Sequence, residues 1–420
     1  MKTNFPLSTL ILWNILAVSC SNISEKSSSI NPLDDTFLQQ AKEIVIKDFS
    51  FDYKQFFQSD YYKEGAFNYS DLYSQIDYIS LESVDEYEIG SFDKIIITEN
   101  GDFIILDWHQ GIIIRYDSQG KFLNTIGQRG HSKKEYVSLS DIQYNETLKQ
   151  VFVIDRSRTC LKVYSIDGRF VKDIDLGYYF DTFGIVDDNH FVVFRNYAEN
   201  PQGDETAYNY KMYDMDGNLV QQWCPYHSNR NGYMTTYNNV FLFQNGKLYC
   251  KEQYSSSVFT FENNMIKPLY NLNFGTKQIP QQLVLTANEE KMEDWLRNHP
   301  SLQCNVFFES KDKIVLQLIY NCQVLITYIQ DKKETDNVTV KLTGYNDMKG
   351  LLDKNTFNFF QNNKMYYIFD SYEVKNRLDD IKSQTEWIEK TRGKIKASDI
   401  ELLTQLSKTN NTIIQICTLK

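Results

Sequence analysis

An all-β fold, a six-bladed β-propeller with short helical insertions, is the architecture this sequence predicts. Three observations carry it. One hairpin phrase recurs at a fixed spacing. A short apolar strand precedes each recurrence and is found six times in all. Aromatic residues abound, with 29 Tyr and 27 Phe against only 7 Pro. Flat rings suit the pleated surface of a strand. With 420 residues, 42% of them apolar, the chain has material for one large repeat fold.

The hairpin phrase is a short strand, a polar turn containing Gly, a basic or polar residue and two apolar residues. Ile112 to Tyr116 is followed by Asp117-Ser118-Gln119-Gly120-Lys121-Phe122-Leu123. Leu161 to Tyr164 is followed by Ser165-Ile166-Asp167-Gly168-Arg169-Phe170-Val171. Lys211 to Tyr213 is followed by Asp214-Met215-Asp216-Gly217-Asn218-Leu219-Val220. The three glycines lie 48 and 49 residues apart. A decayed fourth copy, Phe259-Thr260-Phe261-Glu262-Asn263-Asn264-Met265, keeps the spacing. Gly or Asn at the turn admits the positive φ that a tight hairpin needs.

The strand that precedes each hairpin runs Phe103 to Leu106, Val151 to Ile154, Phe191 to Phe194, Lys247 to Cys250, Lys313 to Leu316 and Lys364 to Phe369. Runs of four or five β-formers do not read with a helical period. A period of about 50 residues with four short strands is the mark of a propeller blade. The spacing loosens after residue 250. Two segments interrupt the pattern: Ala287 to Asn298 (287–298), which ends before Pro300, and Val374 to Lys408 (374–408), with Trp387, Ile388 and Ile395 as packing residues. Both read as helical insertions. A propeller must close its ring, and Tyr78 to Leu81 with Ile413 to Ile416 are the expected closing strands.

The first residues carry a different message. Lys2 precedes a mostly apolar run from Phe5 to Val18, too short and interrupted to span a membrane. Ala17-Val18-Ser19-Cys20 resembles a bacterial lipobox, in which the Cys is lipidated and becomes the mature N-terminus. Ser and Asn crowd the stretch from Ser21 to Asn31, as in a flexible tether. The expected organisation is a signal peptide (1–19), a lipidated tether (20–42), an extension that packs on the body (43–75) and the propeller (76–420). The remaining cysteines, Cys160, Cys224, Cys250, Cys304, Cys322 and Cys417, form no CxxC pair and read as buried small hydrophobes, with one or two disulfides of open connectivity as the alternative in an oxidising compartment.

Residues 76 to 171 resemble the NHL-like six-bladed β-propeller lipoproteins abundant in gut Bacteroides-type bacteria. The features that match are Asp77-Tyr78-Ile79-Ser80-Leu81-Glu82, Ile89-Gly90, Asp102 to Asp107, the Asp117 to Leu123 hairpin and Ile126-Gly127-Gln128-Arg129-Gly130. Where that family continues Gly-Pro-Gly-Glu-Tyr, this chain has His131-Ser132-Lys133-Lys134-Glu135-Tyr136, and only the last two agree. The resemblance implies a propeller anchored in the cell envelope, with the outer membrane as the expected address. It implies no reaction.

Chemistry is sparsely written. A formal net charge of −11 and a pI near 5.1 argue against a nucleic-acid partner, which needs clustered Lys and Arg. There is no nucleophile elbow, P-loop, dinucleotide fingerprint or HExxH pair. Some NHL-type propellers resemble lyases that hold a metal in the central channel. On that alternative, a lyase or hydrolase would place Zn or Ca between His109, His131, Asp107 and Asp155. The competing reading makes Asp107 and Asp155, which end equivalent strands, acceptors for turn backbone. Trp108, Arg129, Tyr136, Tyr178 and Tyr179 are the expected ligand contacts, because exposed rings stack on sugars and anchor interfaces. Tyr197, Tyr226, Tyr233 and Tyr237 also fall in expected loops or loop edges. The first expectation is therefore a non-enzymatic binding or scaffold propeller for a glycan, peptide or protein, held to the membrane through Cys20 and needing no cofactor.

Overall fold

A computed structural model of the chain describes residues 37, 39–46, 66–84, 89–198, 206–227, 240–244, 246–321, 324–334, 338–341, 343–345, 352, 359–383, 385–386, 396–408 and 412–420. Six small antiparallel sheets form a six-bladed β-propeller. The first blade comprises strands Lys94–Ile97, Phe103–Asp107, Ile112–Tyr116 and Phe122–Thr125. The second spans Leu139–Asn145 to Phe170–Asp175, the third Thr182–Ile185 to Leu219–His227, and the fourth Phe241–Gln244 to Met265–Asn273. The fifth spans Leu302–Glu309 to Val338–Lys341.

The sixth blade closes the ring. It takes Phe359–Gln361, Lys364–Phe369 and Ile413–Leu419 from late in the chain and Tyr73–Ser80 from early in it. Ile413 pairs with Ser80, Ile414 with Ile79 and Gln415 with Tyr78, the closure expected from the sequence. Lys42–Val45 adds a parallel fifth strand outside the fourth blade, and Ala66–Asn68 pairs in parallel with Thr343–Tyr345.

The apolar runs read from the sequence are the second strands of the six blades. They are apolar throughout because both faces are covered. Phe103 and Ile105 point toward the sixth blade, among Ile368 and Ile416, whereas Ile104 and Leu106 point toward the second, among Ile142 and Val153. The same division recurs around the ring, so the core is six wedges between neighbouring blades. Large rings fill them. Tyr210 lies edge-on to both Phe241 and Phe259, and Trp223 lies 5.4 Å from Phe261. Burying such a side chain contributes about 2–3 kcal/mol, which explains the aromatic composition.

The hairpin phrase forms one turn, repeated. Gly120 N–H donates to Asp117 O, Gly168 N–H to Ser165 O and Gly217 N–H to Asp214 O. The first residue also caps the turn: the Asp117 carboxylate accepts from Gln119 and Lys121 N–H, and the Ser165 hydroxyl accepts from Arg169 N–H. This is the three-residue hairpin with a left-handed glycine and a bulge. In the fourth blade Asn263 and Asn264 take φ of 52° and 56° instead, a turn that Asn tolerates.

The spacing loosens after residue 250 because the connections lengthen. Between the fourth and fifth blades lie two helices, Gln281–Thr286 and Glu289–Asn298. The second is N-capped by Asn288, whose side chain accepts from Lys291 N–H. Met292 seals a small cluster with Ile279, Val284 and Ala287. In the sixth blade, helices Ser371–Ser383 and Ala397–Ser407 intervene between strands. Val374, Leu378, Ile381 and Leu403 bury their apolar stripes against the fifth and sixth blades. Trp387, Ile388 and Ile395, expected as packing residues here, lie outside the described residues, as does Cys20. Cys160, Cys224, Cys250, Cys304 and Cys417 are buried free thiols, and Cys322 lies outside the described residues.

Polar side chains stitch the inner strands. Asp141 of the second blade accepts from Lys94 of the first at 2.5 Å and from the Thr182 hydroxyl of the third. Gln143 donates to Phe183 O across the same boundary at 2.8 Å.

Candidate ligand cleft on the loop face

Meander topology sorts the connections. The turns after the first and third strands of each blade share one face and are short. The connections after the second and fourth strands share the other face and include every helical insertion named above. Loops carry function where a rigid frame holds them, so this second face is the one to search.

A cleft of about 220 Å³ opens there between the first two blades. Its walls are Trp108, His109 and Gly111 from the first blade and Arg129 and Tyr136 to Leu139 from the connection into the second. The volume is below the roughly 300–1,000 Å³ usual for drug-sized ligands and suits one six-membered ring.

Trp108 is 38% exposed although its backbone is fixed, its N–H donating to Asp93 at 2.8 Å. The His109 ring leans on it at 5.1 Å. Arg129 is exposed and, among the described residues, makes no ion pair or hydrogen bond through its guanidinium; its stem lies over Gly111, where a β-carbon would come within 3.2 Å of Arg129 Cδ. Tyr136 is buried beneath the cleft, edge-on to Tyr164.

The loop that leads from Arg129 to Tyr136 is held from below. Arg158 donates to the carbonyls of His131, Ser132 and Glu135 at 2.8, 3.0 and 2.8 Å. Lys162 Nζ reaches Lys133 O at 2.8 Å, and the Tyr164 hydroxyl reaches Lys134 O at 2.9 Å. Five consecutive carbonyls are thereby engaged by side chains of the second blade. The side chains of His131, Lys133 and Lys134 are left exposed. Glu135 folds back to accept from Ser132 N–H and Gln128 Nε2, and these bonds hold its carboxyl below the usual range. Glu135 and Tyr136, the two residues shared with the resembling family, therefore shape the loop.

The proposed metal ligands are not brought together. Asp107 is fully buried and accepts from Gly90 N–H, Ser91 N–H, the Ser91 hydroxyl and Gln110 N–H at 2.7 to 3.0 Å. Asp155 accepts from Val137 and Ser138 N–H at 3.0 and 3.2 Å. Both serve as turn acceptors, the competing reading of the sequence. His109 and His131 are exposed on separate loops, and no group of three or more His, Cys, Asp or Glu side chains suited to a metal occurs among the described residues.

Tyr178 and Tyr179 sit one connection further round, outside the cleft. The Tyr178 hydroxyl meets that of Tyr213 at 2.5 Å, with the Arg195 and Lys211 cations over its ring. Tyr179 donates to Asp181 at 3.0 Å beneath Arg156. Burial, above all, raises both phenols. Tyr197 and Tyr226, expected at loops, are buried, and Tyr226 belongs to a strand; Tyr233 and Tyr237 lie outside the described residues. The pinning role of Arg158, Lys162 and Tyr164 was not legible in the sequence, since three residues on a strand and its approach give no local sign of which loop they hold.

A larger cavity, about 490 Å³, lies where Glu43 meets the outer strand of the fourth blade. Its amides are mostly committed: Asn271 accepts from Ser256, Asn273 bridges Glu43 and Gly275, and Gln278 accepts from Phe274 N–H.

A solved structure shares the architecture. A Bacteroides fragilis protein described as presumed exported is similar at a TM-score of 0.66 and 15% identity, over 90% of this chain and 100% of that one. A member of the DUF4221 family from Bacteroides vulgatus aligns at 0.46 and 9% identity, over 83% of this chain and 97% of that one. Virginiamycin B lyase from Staphylococcus aureus aligns at 0.36 and 10% identity, over 63% of this chain and 73% of that one. At 15% identity the likeness to the Bacteroides fragilis protein speaks to fold alone. No curated protein matches the chain. The family described as a domain of unknown function, DUF4934, matches residues 54–418.

Proposed function

The chain belongs to the DUF4934 family, and we propose that it works as an exported, non-enzymatic binding propeller whose ligand is a glycan seated in the cleft between the first two blades. One observation carries this reading. Trp108 and Arg129 line the same cleft, and among the described residues neither side chain makes a hydrogen bond or ion pair, whereas the neighbouring carboxylates Asp107, Asp155 and Glu135 are all engaged by their own loops. A site built this way offers an aromatic platform and a hydrogen-bond donor, with its nearby carboxylates committed to loop backbone.

Export fits the apolar leader before Cys20 and the description of the Bacteroides fragilis relative. We assign Cys20 as the lipidated residue and the outer membrane as the anchor site, with the NHL-like lipoproteins as the kindred group. Metabolic labelling with an alkynyl fatty acid tests the anchor: label lost in Cys20→Ala supports it, and label retained overturns it.

Thermal-shift screening of the protein against a glycan set tests the binding reading, since a ligand of the native state raises Tm. The expected result is a shift with at least one glycan that disappears in Trp108→Ala. A set with no shift, or a shift that Trp108→Ala leaves intact, overturns it.

A further inference from the structure

We infer that the ligand of this cleft is an acidic sugar, carrying carboxylate or sulfate, that extends from Trp108 along a basic loop; the inference rests on the glycan reading above. The chain as a whole carries a net charge of −11, so a local excess of cations needs a reason. Arg129 lines the cleft, and Lys133 and Lys134 follow it within five residues, all exposed. Among the described residues, none of these three side chains makes a salt bridge or a hydrogen bond.

Cations left unpaired on a surface are common when their backbone is loose. Here the backbone is the opposite of loose. Five successive carbonyls, His131 to Glu135, are bound by Arg158, Lys162 and Tyr164. Spending three large side chains of one blade to fix a loop orders it in advance, and an ordered loop loses little entropy on binding. The only acidic side chain in the loop, Glu135, is turned back onto Ser132 and Gln128.

The groups match an anionic pyranose. Trp108 supplies an aromatic face for the sugar ring. Arg129 presents the planar fork that pairs with a carboxylate or sulfate through two parallel hydrogen bonds. Lys133 and Lys134 then offer point charges to the next acidic residues of a chain too long for the cleft alone. An acidic peptide would use the cations but leave the Trp108 platform without a matching ring.

Isothermal titration of the full chain with four probes tests this: trigalacturonate, a chondroitin sulfate tetrasaccharide, neutral galactotriose and a penta-aspartate peptide. The expected result is that at least one acidic sugar binds tenfold or more tightly than galactotriose. That binding should weaken with added salt. It should also fall at least tenfold in Arg129→Ala, and several-fold in the Lys133→Ala, Lys134→Ala double variant, with Tm unchanged. Galactotriose binding as tightly as the acidic sugars overturns the charge inference and leaves the glycan reading standing. Penta-aspartate binding more tightly than any sugar, or no probe binding to a protein that is folded by circular dichroism, overturns both.

Discussion

Gly168 lies against the carbonyl oxygen of Thr125: a β-carbon at Gly168 would come within 2.3 Å of it. Thr125 ends the outer strand of the first blade, and Gly168 is the hairpin glycine of the second. Gly120 stands in the same relation to Ser80, which ends the outer strand of the sixth blade, at 2.4 Å. The glycines of these two hairpins are thus set by the neighbouring blade as well as by their own turns. Gly168→Ala should cost more than the roughly 1 kcal/mol of a left-handed non-glycine residue. Gly246, at φ +71° with nothing within 4 Å, supplies the control. Urea unfolding should put Gly246→Ala near 1 kcal/mol and Gly168→Ala at about 3 kcal/mol or above; equal losses would refute the inter-blade contact.

Asp141 ties three blades through Lys94 and Thr182 and is nearly inaccessible. Asp141→Ala should cost about 3–5 kcal/mol, because it strands the Lys94 ammonium. The apolar pair Lys94→Met, Asp141→Leu should lose distinctly less. Chemical unfolding of the two variants decides the point, and a double variant as weak as the single one would count against it.

Glu309 links the fourth and fifth blades. It accepts from Tyr249 and Tyr270 at 2.7 and 2.8 Å and from Lys332 at 2.5 Å. Burial pulls its carboxyl upward, but the bonds from Lys332, Tyr249 and Tyr270 outweigh burial and leave it below its ordinary 4.5. A depressed carboxyl stabilises the fold above the unfolded value and loses that contribution as pH falls through the folded one. Glu309→Gln should therefore cost about 1–3 kcal/mol at pH 7. The gap to the parent protein should narrow as pH drops below 4.5. A gap constant from pH 7 to pH 3 in urea melts would contradict the assignment.

Arg158 forks three carbonyls of the loop between Arg129 and Tyr136. Arg158→Ala should speed hydrogen exchange across residues 129–136 by tenfold or more while strands of the third to fifth blades keep their protection. Arg158→Lys should recover only part of it, since an ammonium cannot reproduce the fork. Uniform protection in all three proteins would show the loop to be held by other contacts.

Much of the ring was legible because its repeat leaves marks in single residues. Gly120, Gly168 and Gly217 report the turn, and the runs Val151 to Ile154 and Phe191 to Phe194 report strands covered on both sides. The later blades were harder to read, because Asn263-Asn264 performs the turn without glycine and helices enter the connections. Of the site, Trp108, Arg129 and Tyr136 do share a cleft, but only Trp108 and Arg129 offer exposed side chains. The polar and Gly residues beside Tyr178 and Tyr179 suggest exposed ligand contacts, whereas the fold engages both hydroxyls in hydrogen bonds with Tyr213 and Asp181. Which loop Arg158 would grip depends on the packing of one blade on the next, and no local spacing encodes that.

The sixth blade has a kinetic consequence. Ser74 bonds to Thr418, 344 residues away, and every pair between Tyr73–Ser80 and Ile413–Leu419 is comparably remote. Closing so long a loop is slow, and it cannot begin until the later strand has been made. As the chain emerges, five blades can assemble in turn while Tyr73–Ser80 waits with an open edge, a template for any other unfinished chain. The ring latches only once Ile413–Leu419 has emerged, and until then the protein depends on its surroundings to keep that edge from pairing elsewhere.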